Sequence, residues 1–155
     1  MKPMRLLLDT NILIDYLAQR QPFFDDAAKL RVAADFGDVE LWLCAQSLVD
    51  AECILRKAIP VERLRAMLKG VSGFCSVASV NGDDAVAGLD SNWPDLEDFC
   101  IARVAERIQA DWIITRDAEG FRHSPISATD AVSFLKALRT NYGIEYEDMS
   151  ELLRR

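Results

Sequence analysis

Short apolar runs alternate with helical stretches along the chain, and this alternation constrains the fold more than any other feature of the sequence. Four runs are predicted to form buried strands, at residues 5–8, 39–45, 74–80 and 112–115. Strands that are separated by helices imply β-α-β units, and therefore a mostly parallel sheet covered by helices on both faces. We predict a single α/β domain with the layer order α/β/α.

The stretches between the strands show the apolar spacing and the end signals of helices. Thr10 or Asn11 can cap the first of them, and Gly or Pro residues follow several others. Helices are predicted at residues 12–20, 24–36, 47–58, 61–69, 83–89 and 129–139, with a further one inside 91–110. We assign residues 1–140 to the domain and residues 141–155 to a charged tail that can add a short helix.

The sequence predicts a protein without a membrane segment or a secretion signal. No apolar run approaches the roughly 20 residues that a membrane helix needs. An Asp also interrupts the first apolar stretch too early for a signal peptide. We therefore expect a cytoplasmic protein. The four cysteines form no CxxC pair and lie in apolar segments, which favours reduced, buried thiols.

The composition narrows the possible chemistry. The only histidine, His123, has no cysteine close by, which argues against zinc and against a nucleophile that depends on histidine. The net charge of −7 is opposite to the surplus of Lys and Arg that usually binds nucleic acid. A cluster of carboxylates that holds divalent cations would itself contribute several negative charges, and an acidic surface also suits a basic protein partner.

Two aspartates follow predicted strands. Asp9 comes directly after the run LLL, and Asp117 lies two residues beyond WIIT. Ligand sites of parallel α/β sheets form beyond the carboxyl ends of the strands, and a charge at the end of a buried strand needs a partner or a metal ion. A simple helix cap would explain Asp9 equally well, and a surface turn would explain Asp117.

Helical phase separates Asp50 from Glu52. Residues two positions apart on a helix differ by about 200° around its axis, so these two side chains point to opposite sides. Asp50 shares its stripe with residues such as Ala51 and Ile54, which is the pattern of a buried face. Glu52 is instead expected to form a surface ion pair with Arg56. Asp50 is therefore the candidate ligand.

Asp98 and Glu97 stand at the start of another predicted buried stripe. Extending the apolar positions 101, 104, 105 and 108 backward by three and four residues leads to these two acids. Carboxylates at the end of a core-facing stripe are unusual and favour a functional role. The alternative is a capping pair formed by Asp95 and Asp98, since acids also suit a helix N-terminus.

Thr115 and Arg116 complete the candidate set. Thr115 can orient a water molecule or bind a phosphate oxygen, and Arg116 can contact a phosphate through two N–H groups. The alternative is a surface turn with an ordinary arginine. Carboxylate clusters suit Mg²⁺ or Mn²⁺, and one or two such ions can activate water and stabilise the leaving oxygen of a phosphodiester. This chemistry needs neither histidine nor cysteine.

Three stretches carry a family resemblance. They are MRLLLDTNILIDYL, SLVDAECILRK and DLEDFCIARVAERIQADWIITRD. They resemble the first strand and acid, the second-acid helix, and the third-acid helix with its Thr-Arg-Asn/Asp element in the PIN-domain family, specifically its bacterial VapC-like toxin branch. The stretches have the family's order and spacing, and the resemblance covers nearly the whole chain.

The resemblance implies an activity, partners and roles for single residues. The activity is that of a Mg²⁺- or Mn²⁺-dependent endoribonuclease, a hydrolase of RNA phosphodiester bonds. Homodimers are frequent in the family, and a small antitoxin often accompanies the toxin. Residues 1–140 would then be a PIN-like nuclease domain. The residues carried over are the acids Asp9, Asp50, Asp98 and Asp117, the adjacent ligand Glu97, the accessory group Thr115, and the supporting residues Asn11 and Arg116.

The chain departs from the family pattern at Asp50, at Gly120 and at Asp130, which stands where a Pro is common before the last helix. Asp50 stands where many members carry Glu, and Gly120 stands where members often carry an acid. The shorter Asp50 and the negative net charge motivate a second hypothesis, a catalytically weak or inactive PIN fold that binds RNA or protein. A third hypothesis is a HAD-like phosphatase with Asp9 as nucleophile. Such enzymes usually carry a second Asp two residues later, where this chain has Asn11.

Overall fold

Five parallel strands form the centre of the domain. In a computed structural model of the chain, residues 2–154 are described. The strands are β1 (Met4–Leu8), β2 (Val39–Cys44), β3 (Cys75–Ala78), β4 (Trp112–Ile114) and β5 (Ala128–Thr129). Their order is β3-β2-β1-β4-β5, and all four pairings are parallel. The predicted α/β/α class is confirmed, whereas β5 was not predicted because two residues carry no recognisable strand pattern.

Helices fill each connection between the first four strands, and two more follow β5. They are α1 (Thr10–Leu17), α2 (Phe23–Asp35), α3 (Ala45–Leu55), α4 (Val61–Val71), α5 (Gly82–Leu89), α6 (Leu96–Arg107), α7 (Ala131–Tyr142) and α8 (Ser150–Leu153). A 3₁₀ turn at Ala118–Phe121 lies where a plain loop was predicted. Within residues 2–154, none of the helices is long and apolar enough to cross a membrane.

The start of α1 differs from the sequence prediction. Asp9 is the N-cap, and its side chain accepts a hydrogen bond from the backbone N–H of Thr10. The prediction that Thr10 or Asn11 caps this helix was wrong, because the helix begins at Thr10, two residues before the predicted start at residue 12. A functional candidate therefore also starts a helix.

The sheet separates two apolar cores. Along β1, the side chains of Leu6 and Leu8 pack into one core with α1 and α2, whereas Leu7 packs into the other core with α6. This alternation is what a strand buried on both faces requires, since successive side chains point to opposite faces. The two cores fix the strand ends from which the candidate site is built.

A buried ion pair joins α5 to α6. Asp84 is 1% exposed, forms a capping box with Asn81, and pairs with Arg107 and more distantly with Arg103. Arg107 also donates to the backbone oxygen of Ser79. Since a buried carboxylate is stable only with such partners, these contacts hold α5 and α6 in a fixed relative position.

The C-terminal tail packs against α2. The Tyr146 hydroxyl donates to Asp38 at 2.6 Å, Ser150 is buried, and Arg154 contacts both Asp25 and the ring of Phe24. The predicted short helix corresponds to α8. Met1 and Arg155, which the proposed division at residue 140 includes, lie outside the described residues.

The cysteines are all free, as predicted, but they are not all buried. Cys44, Cys75 and Cys100 are buried, whereas Cys53 is exposed on α3. The predicted burial of Cys53 was wrong, because the apolar neighbours that suggested it include Ile54, which is itself 52% exposed.

Candidate active site

Asp9 lies at the carboxyl end of the central strand β1 and is held by three donors. One carboxylate oxygen accepts from the backbone N–H of Thr10 at 2.7 Å. The other accepts from the Thr115 hydroxyl at 2.7 Å and from the Asn11 side-chain amide at 3.2 Å. Asp9 is only 6% exposed, and burial raises its pKa even though these hydrogen bonds oppose the rise. The carboxylate is therefore fixed in direction, at a cost in solvation.

Asp98 faces the same region from the first turn of α6. The N-cap of α6 is Asp95, whose carboxylate accepts from the backbone N–H of Asp98 at 3.0 Å. The capping role belongs to Asp95, so it does not explain the Asp98 carboxylate. Burial and, to a smaller extent, the negative charges of Asp9, Asp95, Glu97 and Asp117 together raise the pKa of Asp98 to about 7.

Glu97 is held by two hydroxyl groups that link three elements. The Thr10 hydroxyl donates to a Glu97 carboxylate oxygen at 2.8 Å. Because its proton is used there, Thr10 accepts at its oxygen from the hydroxyl of Ser47, 2.8 Å away. Burial raises the pKa of Glu97, as do the charges of Asp9, Asp50 and Asp95. One oxygen of Glu97 is thus fixed and the other is free to bind a ligand.

Asp50 lies at the periphery of this group. It is half-buried on α3, accepts from the Gln46 side-chain amide at 2.8 Å, and is close enough to raise the pKa of Glu97. The stripe that was predicted to be buried is only partly so, because Ile54 is 52% exposed. Asp50 is consequently reached from solvent.

The predicted partner of Glu52 was wrong. Glu52 accepts two hydrogen bonds from Arg65 of α4, at 2.9 and 3.0 Å, instead of pairing with Arg56. The packing of α3 against α4 brings Arg65 closer than the helical neighbour four residues away. Glu52 is therefore committed to a contact outside the candidate site.

Asp117 approaches Asp98 through the turn that follows β4. Its backbone N–H donates to the Thr115 hydroxyl at 3.0 Å, and its carboxylate accepts from the backbone N–H of Gly120 at 3.2 Å. A Cβ atom placed on Gly120 would lie 2.9 Å from an oxygen of Asp117 and 2.9 Å from an oxygen of Asp98. The absent side chain of Gly120 leaves room beside both carboxylates.

Arg116 is engaged by a carboxylate. Its Nε lies 2.8 Å from Oδ2 of Asp15, which is fully buried. The guanidinium also stacks over the ring of Phe23, with its central carbon 4.3 Å from the ring centroid. Arg116 lies next to the acids but is neutralised by Asp15, so any phosphate contact would have to use the part of its guanidinium that faces solvent.

The oxygen donors of these side chains suit a hard divalent cation, but the side chains lie too far apart to hold one. Among residues 2–154, no three His, Cys, Asp or Glu side chains are gathered closely enough to hold a metal ion as they stand. Oxygen donors of this kind fit Mg²⁺ or Mn²⁺, and carboxylates that repel one another separate when no cation neutralises them. One oxygen of Asp98 and one of Asp117 both lie beside Gly120, where a Cβ atom would contact each of them.

Two cavities lie on either side of the acids along the carboxyl edge of the sheet. One, of about 450 Å³, lies on the β2–β3 side and is bordered by Asp50, Asp95 and Glu97. The other, of about 290 Å³, lies on the α7 side and is bordered by Arg116 and Phe23. Acidic side chains therefore border the larger of these two cavities, and Arg116 borders the other.

Sequence reasoning missed several residues of this site. Thr10, Ser47 and Asp95 hold or surround the predicted acids, and Asp15 neutralises Arg116. Thr10 could have been found, since it follows a candidate ligand directly. The contact of Ser47 with Thr10 joins residues 37 positions apart and depends on how α1 meets α3.

Comparisons with known proteins agree on the fold. VapBC2 from Rickettsia felis, solved bound to a DNA fragment from its promoter, matches with a TM-score of 0.59 and 15% identity, over 82% of this chain and 98% of that chain. FitAB bound to an IR36 DNA fragment matches with a TM-score of 0.61 and 14% identity, over 81% of this chain and 94% of that chain. FitAcB from Neisseria gonorrhoeae matches with a TM-score of 0.58 and 12% identity, over 82% of this chain and 98% of that chain.

The sequence itself identifies the family. No curated protein matches it at a significant level. The sequence profile of the PIN domain matches residues 5–119, a range that extends from β1 into the turn after β4 and includes every predicted acid. The resemblance inferred from the three motif stretches is confirmed: the chain belongs to the PIN domain family.

Proposed function

We propose that this protein is a metal-dependent endoribonuclease. The observation that carries the proposal is the convergence of Asp9, Asp98 and Asp117 beyond the ends of β1 and β4, where burial and mutual repulsion raise the pKa of Asp98 to about 7. A group of acids kept at such a cost favours a cationic ligand over a structural role. Membership of the PIN domain family, whose members are typically nucleases, supports the same activity.

Each polar side chain has a defined part in this proposal. Asp9, Asp98 and Asp117 would hold the cation, with Glu97 and Asp50 as further oxygen donors on the open side. Bound Mg²⁺ or Mn²⁺, one or two ions, would supply Lewis-acid polarisation of the phosphodiester and lower the pKa of a water molecule.

Neighbouring residues prepare the acids for this task. Thr115 and Asn11 orient Asp9 by donating hydrogen bonds to its Oδ2 atom. The solvent-facing part of the Arg116 guanidinium would meet a phosphate of the RNA; in support, Asp15 and Phe23 fix the position of this side chain, which directly precedes Asp117.

We further propose that the protein is the toxin of a toxin–antitoxin pair and acts in the cytoplasm as a homodimer. The support is the VapC-like arrangement of its motifs and its similarity to VapBC2 and FitAB, which are structures of complexes. Co-purification with the product of the adjacent reading frame would test the antitoxin, and light scattering would test the dimer. A monomer without a co-purifying partner would contradict this part of the proposal and leave the nuclease intact.

Metal removal tests the activity directly. The purified protein is expected to cleave single-stranded or structured RNA in Mg²⁺ or Mn²⁺, to lose this activity in EDTA, and to regain it when the metal is restored. Calorimetry should detect Mn²⁺ binding at millimolar concentration or below. Cleavage that persists undiminished in EDTA would refute the proposal.

Gly120→Ala provides a test that is specific to this chain. The added Cβ would lie 2.9 Å from oxygens of Asp98 and Asp117 and would displace both carboxylates by a few tenths of an ångström. We expect cleavage to fall by about tenfold, since small displacements at a catalytic centre are costly, while stability changes by less than about 1 kcal/mol. Gly82→Ala is the matched control, because nothing lies within 4 Å of a Cβ at that position. Equal cleavage by both variants would remove Gly120 from the site.

A non-catalytic binding module is the second candidate function. It is favoured by Asp50, which is one methylene shorter than the Glu of many relatives, and by the separation of the acids as they stand. This alternative predicts RNA or protein binding without cleavage. The absence of Mn²⁺ binding at millimolar concentration would favour it over the nuclease.

A further inference from the structure

The 450 Å³ cavity beside the acids has a composition that the metal chemistry does not require. It lies between α3, α5 and α6. Its apolar lining consists of Cys44, Val80, Ala85, Leu96, Cys100 and Ile101. Its polar lining, the polar rim, consists of Gln46, Ser47, Asp50, Asp95 and Glu97. Its size falls in the range of about 300–1,000 Å³ that is typical of small-ligand pockets.

We propose that this cavity binds one nucleobase of the RNA, beside the cleaved phosphodiester, and that it selects guanine. The inference rests on the proposed ribonuclease activity and assigns a base preference to it. A planar, largely apolar ring fits an apolar cleft, and its polar edge would face the rim. Flanking nucleotides are also where enzymes that act on nucleic acid commonly set their sequence preference.

The charges of the cavity exclude a phosphate as its occupant. Its lining contains three carboxylates, those of Asp50, Asp95 and Glu97, and includes neither Lys nor Arg. A phosphate group would be repelled here, since phosphate sites in proteins rely on cationic side chains or clustered N–H donors. A neutral base with N–H donors is attracted by the same carboxylates.

The polar rim favours guanine among the four bases. Guanine carries two neighbouring donors, N1–H and the exocyclic N2 amine, which match the two oxygens of one carboxylate as an arginine fork does. Uracil presents two carbonyl oxygens around its single N–H, and the carboxylates would repel them. The side-chain amide of Gln46 donates one N–H to Asp50, and its second N–H would donate to the guanine carbonyl.

The cavity and the acid group share a fixed side chain. Glu97 lines the cavity and also contributes to the raised pKa of Asp98. Its position is set by the hydroxyls of Thr10 and Ser47, and the ion pair of Asp84 with Arg107 sets α5 against α6. A base in the cavity therefore lies next to the group that would hold the reacting phosphate.

Binding without cleavage is the first measurement. Fluorescein-labelled, 2′-O-methyl hexanucleotides that differ only in one central base would be titrated with the protein in Ca²⁺ and followed by fluorescence anisotropy. We expect the guanine oligonucleotide to bind about tenfold more tightly than the uracil one, which corresponds to one well-made polar contact pair. Cleavage of the matching unmodified RNAs in Mn²⁺ should show the same order.

Ala85→Leu fills the cavity without altering a polar group, and Val86→Leu is its matched control. Val86 lies on the same helix, is 60% exposed and is not part of the cavity lining. Ala85→Leu should reduce the guanine-to-uracil ratio to about 2 or less, whereas Val86→Leu should retain it. Gln46→Ala, on the exposed rim, provides a second variant with the same expected direction if Ala85→Leu proves unstable in a thermal melt.

The outcomes separate the two proposals. A guanine preference that Ala85→Leu or Gln46→Ala removes supports the base pocket. Metal-dependent cleavage with equal use of all four bases, or a preference that neither variant changes, overturns the pocket and leaves the ribonuclease standing. A protein that neither binds nor cleaves any of these RNAs overturns both.

Discussion

Asp98→Asn is expected to reduce RNA cleavage by about 10²–10³-fold and, at the same time, to stabilise the metal-free protein at pH 8. The loss of activity follows from removing one charged oxygen ligand among a small set, which costs several kcal/mol of transition-state stabilisation. The gain in stability follows from the repulsion that Asp98 experiences from Asp9, Asp95, Glu97 and Asp117. Asparagine is nearly isosteric and carries no charge.

The direction of the pH effect can be derived from the pKa of Asp98. That pKa is raised from 3.8 to about 7 in the folded protein, so the folded state binds the proton more tightly than the unfolded state does. This contribution to stability is complete below pH 3.8 and is lost as the pH rises through 7. Asp98→Asn should therefore add about 1–2 kcal/mol at pH 8, less than the full shift implies because the carboxylate is partly solvated.

Denaturant unfolding at pH 5 and pH 8, in EDTA, measures this effect. The difference in free energy of unfolding between Asp98→Asn and the native sequence should be larger at pH 8. Glu106→Gln removes an exposed carboxylate from the same helix and should change neither stability nor cleavage. An Asp98→Asn protein that is destabilised at pH 8 would contradict the picture of mutually repelling acids.

Asp9→Asn is expected to reduce cleavage as strongly as Asp98→Asn does, but it should lower the free energy of unfolding where Asp98→Asn raises it. Asp9 accepts three hydrogen bonds, and the oxygen that faces Thr115 and Asn11 would become an NH₂ group opposite another amide donor. Turning the asparagine around would place the NH₂ against the Thr10 N–H instead. We expect a loss of about 1 kcal/mol, the usual net value of one hydrogen bond.

Asp111→Asn provides the matched control for this variant. Asp111 also accepts from a backbone N–H of β1, that of Arg5 at 2.7 Å, but it lies at the opposite edge of the sheet. Cleavage should be unchanged in Asp111→Asn and reduced by about 10²–10³-fold in Asp9→Asn, measured on the same RNA in Mn²⁺. Similar activity in the two variants would show that the end of β1 is not the catalytic centre.

The layer architecture was predictable because it depends on local patterns. The runs that became β1 to β4 are short, apolar and separated by helical stretches, and the parallel order follows from that alternation. The two-residue β5 was missed because it exists through its pairing with β4, which no local pattern records. The ion pair of Glu52 with Arg65 was missed for the same reason.

The sequence was enough to choose the candidate acids, but it did not show which groups would contact them. Helical phase pointed to Asp50 over Glu52, and the extended stripe pointed to Asp98. The sequence offered Asp95 and Asp98 as a capping pair, but it did not indicate that Asp95 alone would cap the helix with its side chain, or that Asp15 would neutralise Arg116. Both outcomes depend on competition among several acids for the same donors, which is decided only when the helices pack.

The hydrogen bond between Asp9 and Thr115 joins residues that are 106 positions apart. During synthesis the N-terminal strand emerges from the ribosome first and must wait for β4 before its carboxylate is oriented. A nascent chain that ends before the turn at Gly120 lacks Asp117, and with it the complete group of acids. The acid group is therefore completed only when residues from both halves of the chain have folded together.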